Sequence, residues 1–209
     1  FSDFSSAAAS TPAAPKPVET PPPGAAPAAP PVKVAAKWTV GDASYQAVHL
    51  TEASGTGALD NGAATFKMDK GKFAEGAITA DASYDMARID PRYSWKAGLT
   101  DASLGKLAAL ASPDMATKAS GTATFSSQGS GEALGDAMKR HLDGRADFSL
   151  KNGELHALPF LDKLSETTGN DSFKNLKFFE IAGGADIAKG QGKLDNVHMT
   201  GPENKITVD

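Results

Sequence analysis

Residues 144–168 read GRADFSLKNGELHALPFLDKLSETT. Arg145, Asp147, Ser149 and Lys151 alternate with Ala146, Phe148 and Leu150, the period of a strand that is polar on one face and apolar on the other. Asn152-Gly153 then supplies the residue pair of a type I′ hairpin turn. A two-residue loop at that point sets Lys151 against Glu154, Leu150 against Leu155 and Phe148 against Ala157, joining like with like and opposite charge with opposite charge. Beyond it, Leu158-Pro159 begins a helix, because proline suits a first helical turn, and Phe160, Leu161 and Leu164 form its apolar side. The stretch predicts a one-sided hairpin with a short helix folded over its end.

The rest of the chain sets what this unit belongs to. At 209 residues, 40% hydrophobic but only 7% aromatic, it can hold one sizeable domain whose core is built from small side chains. A net charge of −4 with Lys and Arg scattered among Asp and Glu leaves no basic patch for nucleic acid or an anionic membrane surface. There is no cysteine, hence no disulfide and no thiolate chemistry. The sequence contains no run of 18 or more apolar residues, the length a bilayer-spanning helix needs. The chain starts at Phe1 and ends within an alternating segment, Lys205 to Val208, and reads as part of a longer protein.

Residues 1–10 are too few to classify. Residues 11–36 are Ala/Pro-rich, with nine of the thirteen prolines between Pro12 and Pro31, and read as a solvated polyproline-like tether. Residues 37–209 read as a single β-rich domain. Ser54 to Asp60 and Ala63 to Met68 flank Asn61-Gly62, Lys70-Gly71 offers a second turn, and Ala77 to Met86 and Arg92 to Leu99 are strand-like. Asp101 to Leu110 has helical spacing with Thr100 or Asp101 as cap, and Ser130 caps a second helix carrying Leu134, Met138 and Leu142. Ala119 to Ser127, Lys177 to Ile181, Ala185 to Ala188, Lys193 to Met199 and Lys205 to Val208 complete the strands. The expected architecture is mainly β: an extended, curled antiparallel sheet, groove-like and open, capped by short amphipathic helices.

Catalytic and cofactor signatures are weak. His49, His141, His156 and His198 stand alone without metal-ligand spacing, and are expected at the surface. Gly-Thr-Gly at Gly55 and Gly-Ser-Gly at Gly129 lack the endings of phosphate loops, and no serine sits in a Gly-x-Ser-x-Gly elbow. The expectation is a non-enzymatic chain with no cofactor and no metal; a hydrolase is the least supported reading.

Several local patterns resemble the C-terminal region of the AsmA-like family of bacterial envelope proteins. They are Gly55-Thr56-Gly57-Ala58-Leu59 before Asn61-Gly62, Lys72 to Ile78, Gly121 to Phe125, and Gly144 to Leu155 followed by Leu158 and Leu161. A fainter one runs from Phe173 through Ile187-Ala188-Lys189-Gly190 to Leu194. The likeness covers about Tyr45 to Asp209, and the Ala/Pro tether departs from it. It implies a periplasmic bridge-like lipid-transfer protein, held in the inner membrane by a transmembrane helix outside this chain, with phospholipid acyl chains in an apolar trough. Phe66, Met68, Phe125, Phe148, Leu150 and Leu155 are then the trough residues, and Leu134, Met138, Leu142, Phe160, Leu161 and Leu164 the helical cover. Two other readings of the same alternation stay open: an ordinary sandwich or barrel core, and an envelope scaffold whose sheet edge pairs with an outer-membrane protein by strand addition.

Overall fold

The computed structural model describes residues 32–88, 90–132, 141–202 and 205–208. They form one ten-stranded sheet in sequential order, every neighbouring pair antiparallel, and the sheet is open rather than closed into a barrel. The strands are β1 (Lys33–Tyr45), β2 (Val48–Asp60), β3 (Ala63–Phe73), β4 (Gly76–Asp85), β5 (Arg92–Ser103), β6 (Ala119–Glu132), β7 (Leu142–His156), β8 (Asn175–Ala188), β9 (Gln191–Thr200) and β10 (Lys205–Val208). Two short helices, α1 (Leu104–Ala111) and α2 (Pro159–Thr168), lie in the β5–β6 and β7–β8 connections. The expected mainly-β, open antiparallel architecture with short helices is what the chain adopts.

Local chemistry explains the turns. Asn61 (φ 46) and Gly62 (φ 86) close the β2–β3 hairpin as expected, both in the positive-φ region that a type I′ turn requires. Pro159 occupies the first turn of α2, and Gly169 (φ 66) ends that helix in the left-handed region.

Several expectations are corrected. Asn152-Gly153 is no hairpin turn, since β7 runs straight through it. Asn152 alone takes positive φ (49), opposite Gly121 (φ 112), where the β6–β7 register slips between Ser120 and Thr122. This is a β-bulge, which needs the same backbone as the first turn position but lets the strand continue. Lys70-Gly71 likewise lies inside β3; the turn is made by Ala74 (φ 48) and Glu75 (φ 69). Asp101 (φ 53) sits at a bulge in β5, so α1 starts later, with Ser103 accepting a hydrogen bond from the Lys106 amide at 3.4 Å. Ser130 is in β6 and Leu142 opens β7, so neither belongs to a helix, while Leu134 and Met138 lie outside the described residues. Lys177–Ile181 and Ala185–Ala188 are parts of one strand, β8. At the tether, Lys33 to Ala36 already belong to β1.

The bulges recur across the sheet. Register shifts fall in β2–β3, β3–β4, β5–β6, β6–β7 and β8–β9, with Glu52, Asp101, Asn152 and Asn196 at positive φ. Each adds local twist and bend, so together they curl the sheet, and they mark off one end from the other. At the end where the helices lie, Leu158 and Leu161 of the α2 segment pack with Leu176, Phe178 and Met199 into a buried cluster, flanked by Leu104, Leu150, Leu155 and Ile181. No comparable cover exists at the far end among the described residues.

Candidate functional site

Strand register decides which side chains share a face, because residues directly opposite in a ladder point the same way. One transverse row runs Trp38, Gly55, Met68, Ala80, Ala97 and continues through Ser127, Ala146, Ala185 and Leu194. The next row toward the uncovered end holds Ala36, Gly57, Phe66, Ala82, Trp95 and then Gly129, Gly144, Ile187 and Gly192. On the other side of the first row, Ile78, Leu99, Phe125, Phe148 and Gly183 stand in line. No charged side chain interrupts these three rows. At about 4.8 Å per strand the first two extend roughly 40 Å and the third about half as far.

Aromatic rings pave this face instead of rising from it. The Trp38 ring reaches over Gly55, Trp95 over Gly129, and Tyr93 over Gly131, each occupying the space that a Cβ on the glycine would need. Trp38 stacks on Phe66 with centroids 5.3 Å apart, and Tyr93 on Trp95 at 6.1 Å. Glycine is required at these close approaches, and the result is a smooth apolar floor. In a sandwich the inner-face side chains of two sheets interdigitate; rings laid across glycines leave little relief for a second sheet to lock into.

A concavity of about 370 Å³ opens on this floor, bounded by Ile78, Leu99, Phe125 and Phe148 with Ala97, Ala146 and Ala185 at its base. Phe66 (43%), Phe125 (39%) and Leu194 (66%) remain exposed. Such uncovered large apolar side chains in contiguous rows mark a surface that contacts something apolar.

The opposite face is ionic. Arg145 binds Asp147 at 2.8 Å, Asp186 at 3.1 Å and Asp195 at 3.6 Å, tying β7 to β8 and β9. The hydrogen bond and charge of Asp147, then Asp186, hold the guanidinium above its ordinary pKa. Lys33 pairs with Asp60 and Lys67 with Asp69, each lysine raised mainly by that hydrogen bond. Arg92 pairs with Glu132.

No family model, curated protein or solved structure matches this chain. The reading of the site therefore stands on its own geometry.

Of the sequence-predicted trough residues, Phe66, Met68, Phe125 and Phe148 lie together on the uncovered floor. Leu150 and Leu155 share the face but lie at its other end, packed on the buried cluster. Of the predicted cover, Leu161 is fully buried and Leu164 half-buried, whereas Phe160 points away and is 59% exposed. Trp38, Tyr93 and Trp95 were missed. The signal for the last two was present, since Tyr93, Trp95, Ala97 and Leu99 alternate with Arg92, Ser94, Lys96 and Gly98.

Among the described residues no group of three His, Asp or Glu side chains is arranged to hold a metal ion. His49 is exposed and bonds Asp42 at 2.9 Å, and His198 approaches Glu180 at 3.8 Å. His156 departs from its expected surface position: it is half-buried, with Nδ1 enclosed and unpartnered. A polar hollow at the uncovered end contains His141, Asp143, Arg92 and Glu132. Its charges are mixed, with Arg92 neutralised by Glu132, and nothing in it singles out a general acid or base.

Proposed function

We propose that the uncovered half of this sheet is a trough for phospholipid acyl chains, in an AsmA-like periplasmic protein that shields those chains from water between the inner and outer membranes. The observation that carries this reading is the set of uncharged transverse rows, half-buried for the most part with Phe66, Phe125 and Leu194 exposed, and floored by rings lying over glycines. A fully buried methylene contributes about 0.8 kcal/mol and one covered on a single side correspondingly less, so the many methylenes of an acyl chain sum to a substantial gain without any polar contact. The ion pairs all lie on the other face or at its margins, which leaves a lipid head group free to stay in solvent at the trough mouth. The protein does no covalent chemistry in this reading. Among the described residues no helix is long and apolar enough to cross a membrane, so the inner-membrane anchor is assigned to sequence beyond these residues.

The test is native mass spectrometry with lipid extraction on protein purified without detergent from a bacterial envelope. Phospholipid at a defined stoichiometry, lost in Phe148→Asp, is the expected result. A folded protein that carries no lipid and takes up none from vesicles would end the proposal.

A further inference from the structure

Along the strand direction the apolar floor has two unlike margins. Its outermost uncharged row holds Val34, Leu59, Tyr84, Tyr93 and Leu142. One residue further out, at the strand ends, the row is charged: Lys33, Asp60, Asp85, Arg92 and Glu132, joined as the ion pairs Lys33–Asp60 and Arg92–Glu132. Tyrosine suits such a boundary, since its ring is apolar and its tip polar. At the opposite margin the row Ala102, Ala123, Leu150, Ile181 and Met199 is apolar throughout. Ala102, Ala123 and Met199 are buried there, while Leu150 and Ile181 pack against the cluster that α2 covers. Only two residues from Ala123 on β6, Phe125 is exposed, so the floor stops abruptly at the sealed row.

Between these margins β7 runs eight residues, from Leu142 to Leu150, about 26 Å at ~3.3 Å per residue. A van der Waals contact of about 4 Å at the sealed row leaves roughly 22 Å. An extended hydrocarbon with ~1.52 Å bonds at about 111° advances about 1.25 Å per carbon, so about 16–18 carbons fill that length.

We propose that acyl chains lie along the strands, ester end at the Tyr84–Tyr93 row and methyl end against the Ala123–Leu150–Ile181 row, and that the floor thereby selects chains of about 16–18 carbons. This rests on the trough reading and adds to it a direction and a length. Each transverse row keeps one character across the sheet, so polarity changes only along the strands, as it does along an amphiphile. A chain laid the other way round would press its ester against an apolar row that offers no hydrogen bond. A chain that is too long leaves methylenes beyond the charged row in water, and one that is too short leaves floor uncovered; each forfeits apolar burial.

The experiment incubates the detergent-free 209-residue protein with fluid mixed vesicles holding equal amounts of phosphatidylcholines whose chains run from about six carbons below that length to about six above it, and reads the bound lipid by mass spectrometry. Chains of about 16–18 carbons should be enriched roughly threefold or more over both extremes. Orientation is read separately, from quenching of the two tryptophans by nitroxide-labelled lipids. Trp95 lies two residues from Tyr93, and Trp38 stacks on Phe66 in the same transverse row as Trp95, so a nitroxide beside the ester should quench them more than one beside the methyl end. Ala146→Phe stands a ring in the concavity midway along the floor and should move the optimum to chains shorter by about four carbons or more; should that variant not fold, the length profile and the quenching of the unaltered protein decide. Bound lipid with no length preference, stronger quenching from the methyl end, or an unshifted optimum in folded Ala146→Phe would overturn this inference and leave the trough reading in place. No bound lipid at any length would end the trough reading itself.

Discussion

The covered and uncovered ends of the apolar face are made from the same kind of strand but have different fates. At the covered end Leu176 (7%), Phe178 (2%) and Met199 (7%) are sealed beneath Leu158 and Leu161. At the other end Phe66, Phe125 and Leu194 alternate just as regularly yet stay in contact with solvent. One-sided alternation therefore dictates a face and not a core. Whether that face becomes a core depends on the connections, and among the described residues both helices sit in connections at one end of the strands.

The comparison is most sharply broken by Leu161→Ala. Removing a fully buried leucine from the small cluster should cost about 2–5 kcal/mol, read as a lower urea midpoint, while lipid retained per folded molecule stays unchanged. Next in size, Gly129→Ala pushes a Cβ into the Trp95 ring and the Asp143 carbonyl; overpacking of this kind costs about 1–3 kcal/mol and should also weaken lipid retention by lifting the ring off the floor. Phe125→Ala should show the opposite balance to Leu161→Ala. A residue already 39% exposed contributes about 1–2 kcal/mol to stability, whereas lipid retained in the same preparation should fall severalfold. The smallest effect is expected at the ionic surface of the covered end, where Lys174 lies 2.8 Å from Asp171 and holds its carboxyl below the ordinary value of 3.8. Because the folded carboxyl is the stronger acid, this pair stabilises the fold above that range and stops doing so as pH falls through it. Lys174→Ala should lower the melting temperature slightly at pH 7 and not at all at pH 2. A larger shift would mean that the covered end is held by charge rather than by packing.

Much of the architecture was legible because it rests on short-range chemistry. Period-two alternation placed most strands, Asn61-Gly62 marked a true turn, and Pro159 marked a true helix start. Asn152-Gly153 misled because an Asn-Gly pair reports only that positive φ is available. A hairpin needs it at both residues, and here only Asn152 takes it. What decided the outcome is non-local: Leu155 finds Ala119 on one side and Leu176 on the other, so extending β7 gains two ladders where turning back would give one. The Ala74–Glu75 turn was invisible for the converse reason, since neither residue favours positive φ and the sheet imposes it. At the site, Phe66, Met68, Phe125 and Phe148 were legible as one-sided apolar residues, but Leu150 and Leu155 could not be told apart from them. Their difference is the presence of α2 overhead, which no strand pattern records.

The most direct test of the uncovered face as an acyl-chain surface is to place benzoylphenylalanine at Phe125, and separately at Gln128 on the ionic face three residues along the same strand, and to irradiate the protein in a bacterial envelope preparation. The account predicts phospholipid cross-linked through its acyl chain at position 125 and none at position 128. Equal labelling at both positions, or cross-linking at 125 to protein alone, would contradict it.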